Sequence, residues 1–285
     1  MRRRFSLFSA LASPRLPYDH RYHFGNGVDC FKHVVLLCLL RSMREKEAGF
    51  TYVETHAGAG FYKPNAQLKE HEQGLDRVLK SDTDYARLQK ESFQRRGMYL
   101  GSAALAATQL RPQDDLLLFE KEESVQKLLA ENFANTVLGD GYAGLRATRS
   151  QKRALIFVDP PYQLGSDTDQ TLQLISHLRT HWKAARIAIW YPASTLAFKN
   201  NERLSNLAKN LDCDSLKIEF KVEKNNNSTR LSSSGFLLLQ PPFQIQDKLQ
   251  GLLPPLGDLL REYDDDKIIT TFQAFPAVII KKKKS

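Results

Sequence analysis

Apolar runs of strand length alternate along the chain with segments whose apolar residues recur at helical spacing. The central run lies in residues 153–159, where Ala-Leu-Ile-Phe-Val leads into Asp159 and two prolines. A continuous apolar run that ends in a turn signal is typical of a strand buried in a parallel sheet. The strand must end at Asp159, because Pro160 and Pro161 have no amide hydrogen to donate.

The alternation continues on both sides of this strand. Further strands are predicted at 50–55, 116–119, 186–190, 216–222 and 235–240, and helices at 29–45, 103–110, 170–183 and in the segment ending near 211. The last two strands are joined by a polar loop, which predicts an antiparallel edge on a mainly parallel sheet. Residues 63–97 are polar with a thin apolar stripe and predict a small helical insertion. The pattern therefore predicts an α/β fold.

The carboxyl end of the central strand carries candidate chemistry, since ligands bind at this edge of open α/β sheets. An exocyclic amine on a purine is a weak nucleophile, and two acceptors, the Asp159 carboxylate and the Pro160 carbonyl, could hold its hydrogens. Tyr162 could stack on the ring, as aromatic side chains do in pockets for flipped bases. The alternative is a purely structural turn, with Asp159 as a cap and Tyr162 as packing.

A glycine turn and two acids follow the other predicted strands. Gly58 and Gly60 come directly after the first strand, where glycine lets the backbone approach a ligand closely. Glu120 ends the second strand, the place where ribose hydroxyls are usually held. Asp140 and Gly141 close the next loop, and Asp140 could accept a hydrogen bond from an adenine amine. Each of these carboxylates could instead be a cap or a solvated charge.

Aromatic, histidine and arginine residues are interleaved between residues 18 and 33. This composition suits stacking and phosphate contact with a nucleic acid, although a solvated loop is also consistent with it. The residues concerned are Tyr18, His20, Arg21 and His23. The histidines of this region lack a recognised ligand spacing, so no metal site is expected.

Net charge does not settle the partner. The chain has 285 residues and a net charge of +9, a balance typical of nucleic-acid binders. Eight of these charges lie at the two ends of the chain, in residues 1–17 and 281–284, which leaves +1 for everything between them. A basic surface would therefore have to arise from local clustering. No apolar run reaches membrane-spanning length, so no membrane association is expected, and the three cysteines without CxxC spacing indicate a reduced compartment.

The two ends are set apart from the predicted domain. Residues 1–17 are rich in arginine and serine and contain no acid, a composition typical of an organelle transit peptide. They predict a mitochondrial or plastid protein; the alternative is a cytoplasmic protein with a disordered basic terminus. The domain is expected to span 18–280, and the lysine-rich tail 281–285 is interpreted as a solvated end.

An ordered set of motifs resembles the ribosomal RNA large-subunit methyltransferase J family, from residue 18 onward. The motifs are His23-x-Gly25-Asn26-x-x-Asp29-x-x-Lys32-His33, Thr55-His56-Ala57-Gly58-Ala59-Gly60, Gly101-Ser102, Glu120, Asp140-Gly141, Asp159-Pro160-Pro161-Tyr162, Trp190-Tyr191-Pro192 and Ser234-Gly235. The resemblance implies a Rossmann-like S-adenosylmethionine-dependent methyltransferase sheet with a small inserted helical subdomain. It also implies methylation of N6 of an adenine in 23S ribosomal RNA.

Site roles are implied position by position. Asp159 would be the catalytic acceptor, with Pro160 and Tyr162, and Tyr18 would meet the RNA. The residues expected at the methyl donor are Lys32, His33, His56, Gly58, Gly60, Ser102, Glu120, Asp140, Gly141 and Asp159. The partner would be large-subunit ribosomal RNA before full assembly, and the protein is expected to act as a monomer.

The sequence differs from the family pattern at two places, and two alternative functions remain open. Glu54 stands where relatives carry Asp, and the segment 230–235 lacks a Gly-Met that follows the family's arginine. The first alternative function is methylation of another amine, a guanine N2 or a different adenine in RNA or DNA. The second is a non-catalytic RNA-binding protein on the same fold, although such a protein would not need two acceptors that orient an amine.

Overall fold

One sheet of eight strands organises this protein in a computed structural model, which describes residues 24–64, 74–162, 166–193, 197–223, 233–261 and 267–278. Its strands are β1 (Thr51–Glu54), β4 (Asp115–Glu120), β5 (Thr136–Leu138), β6 (Ala154–Val158), β7 (Ala185–Pro192), β8 (Ser215–Glu223), β9 (Ser233–Leu239) and β10 (Lys267–Phe275). Two further strands, β2 (Phe61–Tyr62) and β3 (Tyr99–Leu100), pair with each other as a short antiparallel ribbon.

Nine helices lie in the described residues. They are α1 (Gly27–Arg44), α2 (Leu75–Val78), α3 (Asp84–Arg96), α4 (Ser102–Ala107), α5 (Glu123–Ala130), α6 (Gly141–Arg146), α7 (Ser166–His181), α8 (Phe198–Lys209) and α9 (Ile245–Leu260). The helices α2 and α3 lie between β2 and β3, in the segment 63–97 interpreted as an insertion, of which residues 65–73 lie outside the described part.

The predicted α/β fold is confirmed, with β6 at the centre of a mostly parallel sheet. The strand order is β10-β8-β9-β7-β6-β1-β4-β5, and every pair from β7 to β5 is parallel. All five residues of β6 are buried, as expected for a strand between two parallel neighbours. Parallel strands end at the same edge, so the residues that follow β1, β4 and β6 share one edge of the sheet.

Alternate residues of β6 belong to two apolar cores on opposite faces. Leu155 and Phe157 pack in the core that contains α1, α4 and α9. Ile156 and Val158 pack in the core that contains α7 and α8. This alternation follows from the two-residue period of a strand and determines which face of the sheet each residue at the end of β6 can reach.

The antiparallel part of the sheet is larger than the sequence pattern indicates. The predicted pair, β8 and β9, is antiparallel, but β9 lies between β7 and β8, and β10 forms the edge beyond β8. Neither β10 nor α9 is among the predicted elements. Pro254 and Pro255 stand inside α9 and would normally end a helix. The helix persists through them because an apolar stripe packs against α1; its residues are Ile245, Leu249, Leu253, Leu256 and Leu260.

Candidate active site

A buried ion pair marks the end of β6. The Lys32 ammonium nitrogen lies 2.7 Å from Asp159 Oδ2, and the two side chains are 7% and 12% exposed. Lys32 reaches this position from the first turns of α1, where it also lies 3.4 Å from Asp29 Oδ1 and 4.4 Å from the centre of the Trp190 ring. The carboxylate predicted to accept an amine is therefore already paired with a cation. Sequence reasoning placed Lys32 near the donor and missed this contact.

The amino end of α1 is built to hold Lys32. Asn26 caps the helix, and its side-chain oxygen accepts a hydrogen bond from the Asp29 amide at 2.9 Å. Asp29 in turn accepts one from the Gly25 amide at 3.0 Å. An acid in the first turn complements the positive end of the helix, so Asp29 both stabilises α1 and adds negative charge beside Lys32.

Tyr162 is held in an unusual backbone conformation. Its φ is +50°, a region that costs a non-glycine residue about 1–2 kcal/mol. The hydroxyl donates to the Trp190 carbonyl at 2.8 Å, and the two rings lie 5.8 Å apart at a 59° tilt. Stacking of Tyr162 on a base stays a prediction; the observed contacts fix its ring beside Trp190. Pro160 is buried and Pro161 is exposed.

The glycine turn after β1 is joined to the end of β4. Gly58 and Gly60 have φ of +62° and +76°, which glycine adopts without steric cost. The Gly58 amide donates to Glu120 Oε2 at 2.9 Å, and the Glu122 amide donates to Glu120 Oε1 at 2.9 Å. Each carboxylate oxygen has two lone pairs, so Glu120 retains acceptor capacity for a ligand in front of the turn.

His33 connects the site to the inserted helices. Its Nδ1 lies 2.9 Å from the Tyr85 hydroxyl, and the Gln89 side chain donates to the same hydroxyl at 3.1 Å. All three side chains are buried, and Tyr85 and Gln89 belong to α3. This arrangement orients the ring of His33. Its predicted contact with the methyl donor stays a prediction.

Two further predicted donor residues lie beside one another after β1 and β5. His56 Nδ1 lies 2.7 Å from Thr55 Oγ1, and burial lowers the pKa of His56 to about 4, against the opposing effect of Asp140. His56 is therefore neutral at physiological pH. Asp140 caps α6 by accepting from the Ala143 amide at 3.0 Å, which is the structural alternative considered for this acid. A Cβ on Gly141 would lie 2.2 Å from the Thr55 carbonyl oxygen, so only glycine fits there.

Glu54, the last residue of β1, is a fully buried acid. The Tyr52 hydroxyl donates to Oε2 at 2.9 Å, and Ser102 Oγ lies 2.5 Å from Oε1. Burial raises the pKa of Glu54 to about 8, because neither these hydrogen bonds nor Lys32 offsets the loss of solvation. Ser102, which is predicted to contact the methyl donor, is thus positioned by Glu54. Glu54 is the acid that stands where relatives carry Asp.

Glu54 should make stability depend on pH. Its pKa is higher in the folded state than the ordinary 4.5, so the folded protein binds the extra proton. The stabilisation is complete below about pH 4.5 and is lost as the pH rises towards about 8. In urea unfolding, the wild-type free energy of unfolding should fall by an amount on the order of a few kcal/mol over this pH range. We expect Glu54→Gln to abolish this decrease.

The matched control is Glu123→Gln, which neutralises an exposed acid of α5 that is paired with Lys127. This variant should follow the wild-type dependence on pH. Parallel curves for the wild type and Glu54→Gln between pH 5 and 8.5 would show that Glu54 does not carry the effect.

The four residues predicted to contact RNA, Tyr18, His20, Arg21 and His23, lie outside the described residues. Within the described part, no cluster of three or more His, Cys, Asp or Glu side chains is arranged to hold a metal ion. No helix in the same ranges has the length and apolar character needed to cross a membrane.

Comparisons with known proteins agree with the resemblance. A family model described as "Ribosomal RNA large subunit methyltransferase D, RlmJ" matches residues 47–268. Two curated bacterial proteins, each named Ribosomal RNA large subunit methyltransferase J, match 86% of this chain over 94% of their own length. The Haemophilus influenzae protein is 30% identical and the Escherichia coli protein 29% identical.

A solved structure supports the fold. Protein LPL1258 of Legionella pneumophila superposes with a TM-score of 0.74 at 22% identity, over 90% of this chain and 98% of the other. At this identity the match shows a common fold.

The bacterial origin of the curated relatives corrects one prediction. Bacteria contain neither mitochondria nor plastids, so the organelle location predicted from residues 1–17 is wrong, and the relatives point to the cytoplasm. Arginine and serine without acids are compatible with many kinds of segment, and residues 1–17 lie outside the described part. The family model covers well over half of the chain and the curated relatives nearly all of their own length, so the chain belongs to the ribosomal RNA large subunit methyltransferase J family.

Proposed function

We propose that this S-adenosylmethionine-dependent rRNA methyltransferase methylates the N6 amine of an adenine in large-subunit ribosomal RNA. The observation that carries the proposal is the position of Asp159-Pro160-Pro161-Tyr162 at the carboxyl end of β6, on the same edge as the glycine turn and Glu120. Acceptors for an amine and a cradle for a nucleoside donor thus meet at one edge of the sheet.

The donor side fits S-adenosylmethionine on the chemistry of its residues. Glu120 has acceptor lone pairs for ribose hydroxyls, and Asp140 can accept from the adenine amine of the donor. Lys32, His33, His56, Gly58, Gly60, Ser102 and Gly141 complete the proposed set. When bound, the donor supplies an electrophilic methyl group on a sulfonium sulfur.

The acceptor side supplies orientation and a place for the released proton. The N6 lone pair of adenine is delocalised into the ring, so hydrogen bonds from the amine to the Asp159 carboxylate and the Pro160 carbonyl would direct it out of the plane. The amine nitrogen gains a methyl group and loses a proton, for which Asp159 is the acceptor. The base must leave its stack to reach this pocket, and we assign Tyr162 to its capture.

The segment before residue 24 is proposed to contact the RNA. We assign Tyr18, His20, Arg21 and His23 to contacts with the flanking nucleotides, where aromatic and basic side chains serve stacking and phosphate binding. The protein is proposed to act as a monomer on rRNA before full assembly of the subunit.

The methylated product tests the proposal. Large-subunit rRNA is taken from cells that lack this protein and is incubated with the protein and labelled S-adenosylmethionine. We expect the rRNA to become labelled, and nucleoside analysis to find the label in N6-methyladenosine. Small-subunit rRNA is the control and should remain unlabelled. Label in N2-methylguanosine would contradict the N6 assignment and favour the guanine alternative, because the same two acceptors can hold either amine.

A further inference from the structure

Two stretches of the chain carry basic residues and no acids. Residues 141–158 contain four Arg or Lys residues, and residues 170–201 contain another four. Between the basic termini the chain has a net charge of only +1, so these stretches are a local excess of positive charge. They are candidates for the clustering that a basic surface requires.

The fold brings the two stretches together at the amino edge of the sheet. One contains the connection from α6 to β6 and the other the connection from α7 to β7, and β6 and β7 are parallel neighbours. The Ser150 amide donates to the His181 carbonyl at 3.1 Å, and the Trp182 indole donates to the Thr148 carbonyl at 3.3 Å. The basic residues of both connections therefore form one surface.

Four of these residues form what we call the basic edge: Arg149, Lys152, Lys183 and Arg186. Arg149, Lys152 and Lys183 are exposed, and Arg186 is partly exposed. None of the four makes an ion pair with a described acid; the nearby Arg179 does, at 3.0 Å from Asp212. The first three residues lie beyond the ends of α6 and α7, so compensation of a helix dipole, which acts within the last turn, does not explain them.

The electrostatics of the edge also indicate uncompensated positive charge. Burial and the charge of Arg153 lower the pKa of Arg186. Burial and the charge of Arg111 likewise lower the pKa of Arg153, with only Asp114 opposing. The Arg186 Nε atom is buried without a hydrogen-bond partner among the described residues. Both guanidinium groups are thus partly desolvated and lie near another cation, so an anion bound there would favour their charged forms.

We propose that the basic edge binds the sugar–phosphate backbone of the substrate rRNA. It would be a second contact surface at the amino edge of the sheet, opposite the carboxyl edge where the proposed reaction takes place. Six residue steps separate Arg153 from Asp159, which is about 20 Å along a strand. The proposal rests on the rRNA substrate and is independent of which base is methylated. None of the exposed large apolar residues of the described part lies in these two connections, so the surface offers no anchor for a membrane or an apolar protein partner.

The test measures how tightly two RNAs bind to the full-length wild-type protein and to a full-length triple variant. The variant carries Arg149→Gln, Lys152→Gln and Lys183→Gln. The RNAs are a long large-subunit rRNA fragment and a short hairpin around the methylated site. We expect the triple variant to lose about tenfold or more in affinity for the long fragment at physiological salt, with a salt slope smaller by about 2 to 3. Affinity for the short hairpin should be unchanged, since that RNA does not extend to the amino edge.

A charge-matched control carries Lys80→Gln, Arg95→Gln and Lys127→Gln. These substitutions neutralise three exposed cations, which lie after α2, in α3 and in α5 respectively. The proposal is overturned if the control loses affinity for the long fragment equally, or if the triple variant keeps the wild-type affinity and salt slope. Total methyl incorporation into the short hairpin, measured without regard to the product base, should be the same in the wild type and the triple variant. A loss of this incorporation would also overturn the proposal, while a product other than N6-methyladenosine would count only against the proposed specificity.

Discussion

Replacing Asp159 by asparagine is expected to lower kcat by about 10²–10⁴-fold. The substitution keeps the size of the side chain but removes its charge and its ability to take the proton of the amine. Donor binding, measured by calorimetry with S-adenosylmethionine, should weaken far less than turnover, because Glu120 and the glycine turn lie on other strands. Wild-type turnover in Asp159→Asn would refute the catalytic assignment.

The control for this variant addresses stability. Asp159→Asn removes the negative charge that lies 2.7 Å from the Lys32 ammonium, which keeps Asp29 at 3.4 Å. The cost in stability should therefore stay below the value of about 3–5 kcal/mol for a buried charge left without any partner. The double variant Asp159→Asn with Lys32→Met removes both charges. It should regain stability in urea unfolding while methyl transfer stays lost, which separates catalysis from folding.

The Lys32→Met variant alone is expected to slow methyl transfer and to change its dependence on pH. Lys32 supplies the cation that favours the ionised form of Asp159. Without it the acidic limb of the pH–rate profile should move to higher pH, because the carboxylate must ionise near Asp29 without the compensating cation. The loss in kcat relative to the wild type should be about 10-fold one pH unit below the displaced midpoint, where only about a tenth of the carboxylate is ionised, and small well above that midpoint.

The comparison that isolates this effect is Lys127→Met, which removes an exposed lysine paired with Glu123 on α5. Exposed pairs of this kind contribute about 0–1 kcal/mol, so its rates and its pH profile should match the wild type. An unshifted acidic limb in Lys32→Met, with stability retained, would mean that Lys32 does not control the charge of Asp159.

The carboxyl edge of the sheet could be predicted because its signals are local. The apolar run 154–158 and the two prolines after Asp159 determine where β6 ends, whatever the rest of the chain does. Gly58 and Gly60 directly follow a strand, and Glu120 ends another. Each of these features is contained in a few consecutive residues, and parallel pairing then brings the strand ends together.

The partners of these residues could not be predicted in the same way. Lys32 and Asp159 are 127 positions apart in sequence, and His33 meets Tyr85 across 52 positions. No propensity or period links such pairs. The helix α9 was missed for a different reason. Its two prolines indicate a break, and only the three- and four-residue spacing of its buried leucines, which pack against α1, indicates a helix.

The composition of residues 1–17 gave a wrong location because composition describes a segment and not its context. Basic segments without acids serve as leaders, as nucleic-acid arms and as solvated ends. The bacterial origin of two relatives argues against an organelle leader, which residue counts alone could not do.

Two consecutive residues of α1 contact different elements of the fold. Lys32 contacts Asp159 at the carboxyl edge of the sheet, and His33 contacts Tyr85 in α3. Successive helical residues are separated by only 1.5 Å along the axis, so neither side chain can move far without the other while α1 remains intact. The helix α3 and the Asp159 carboxylate thus contact neighbouring residues of one helix, and we expect a displacement of α3 to move the Lys32 ammonium relative to Asp159.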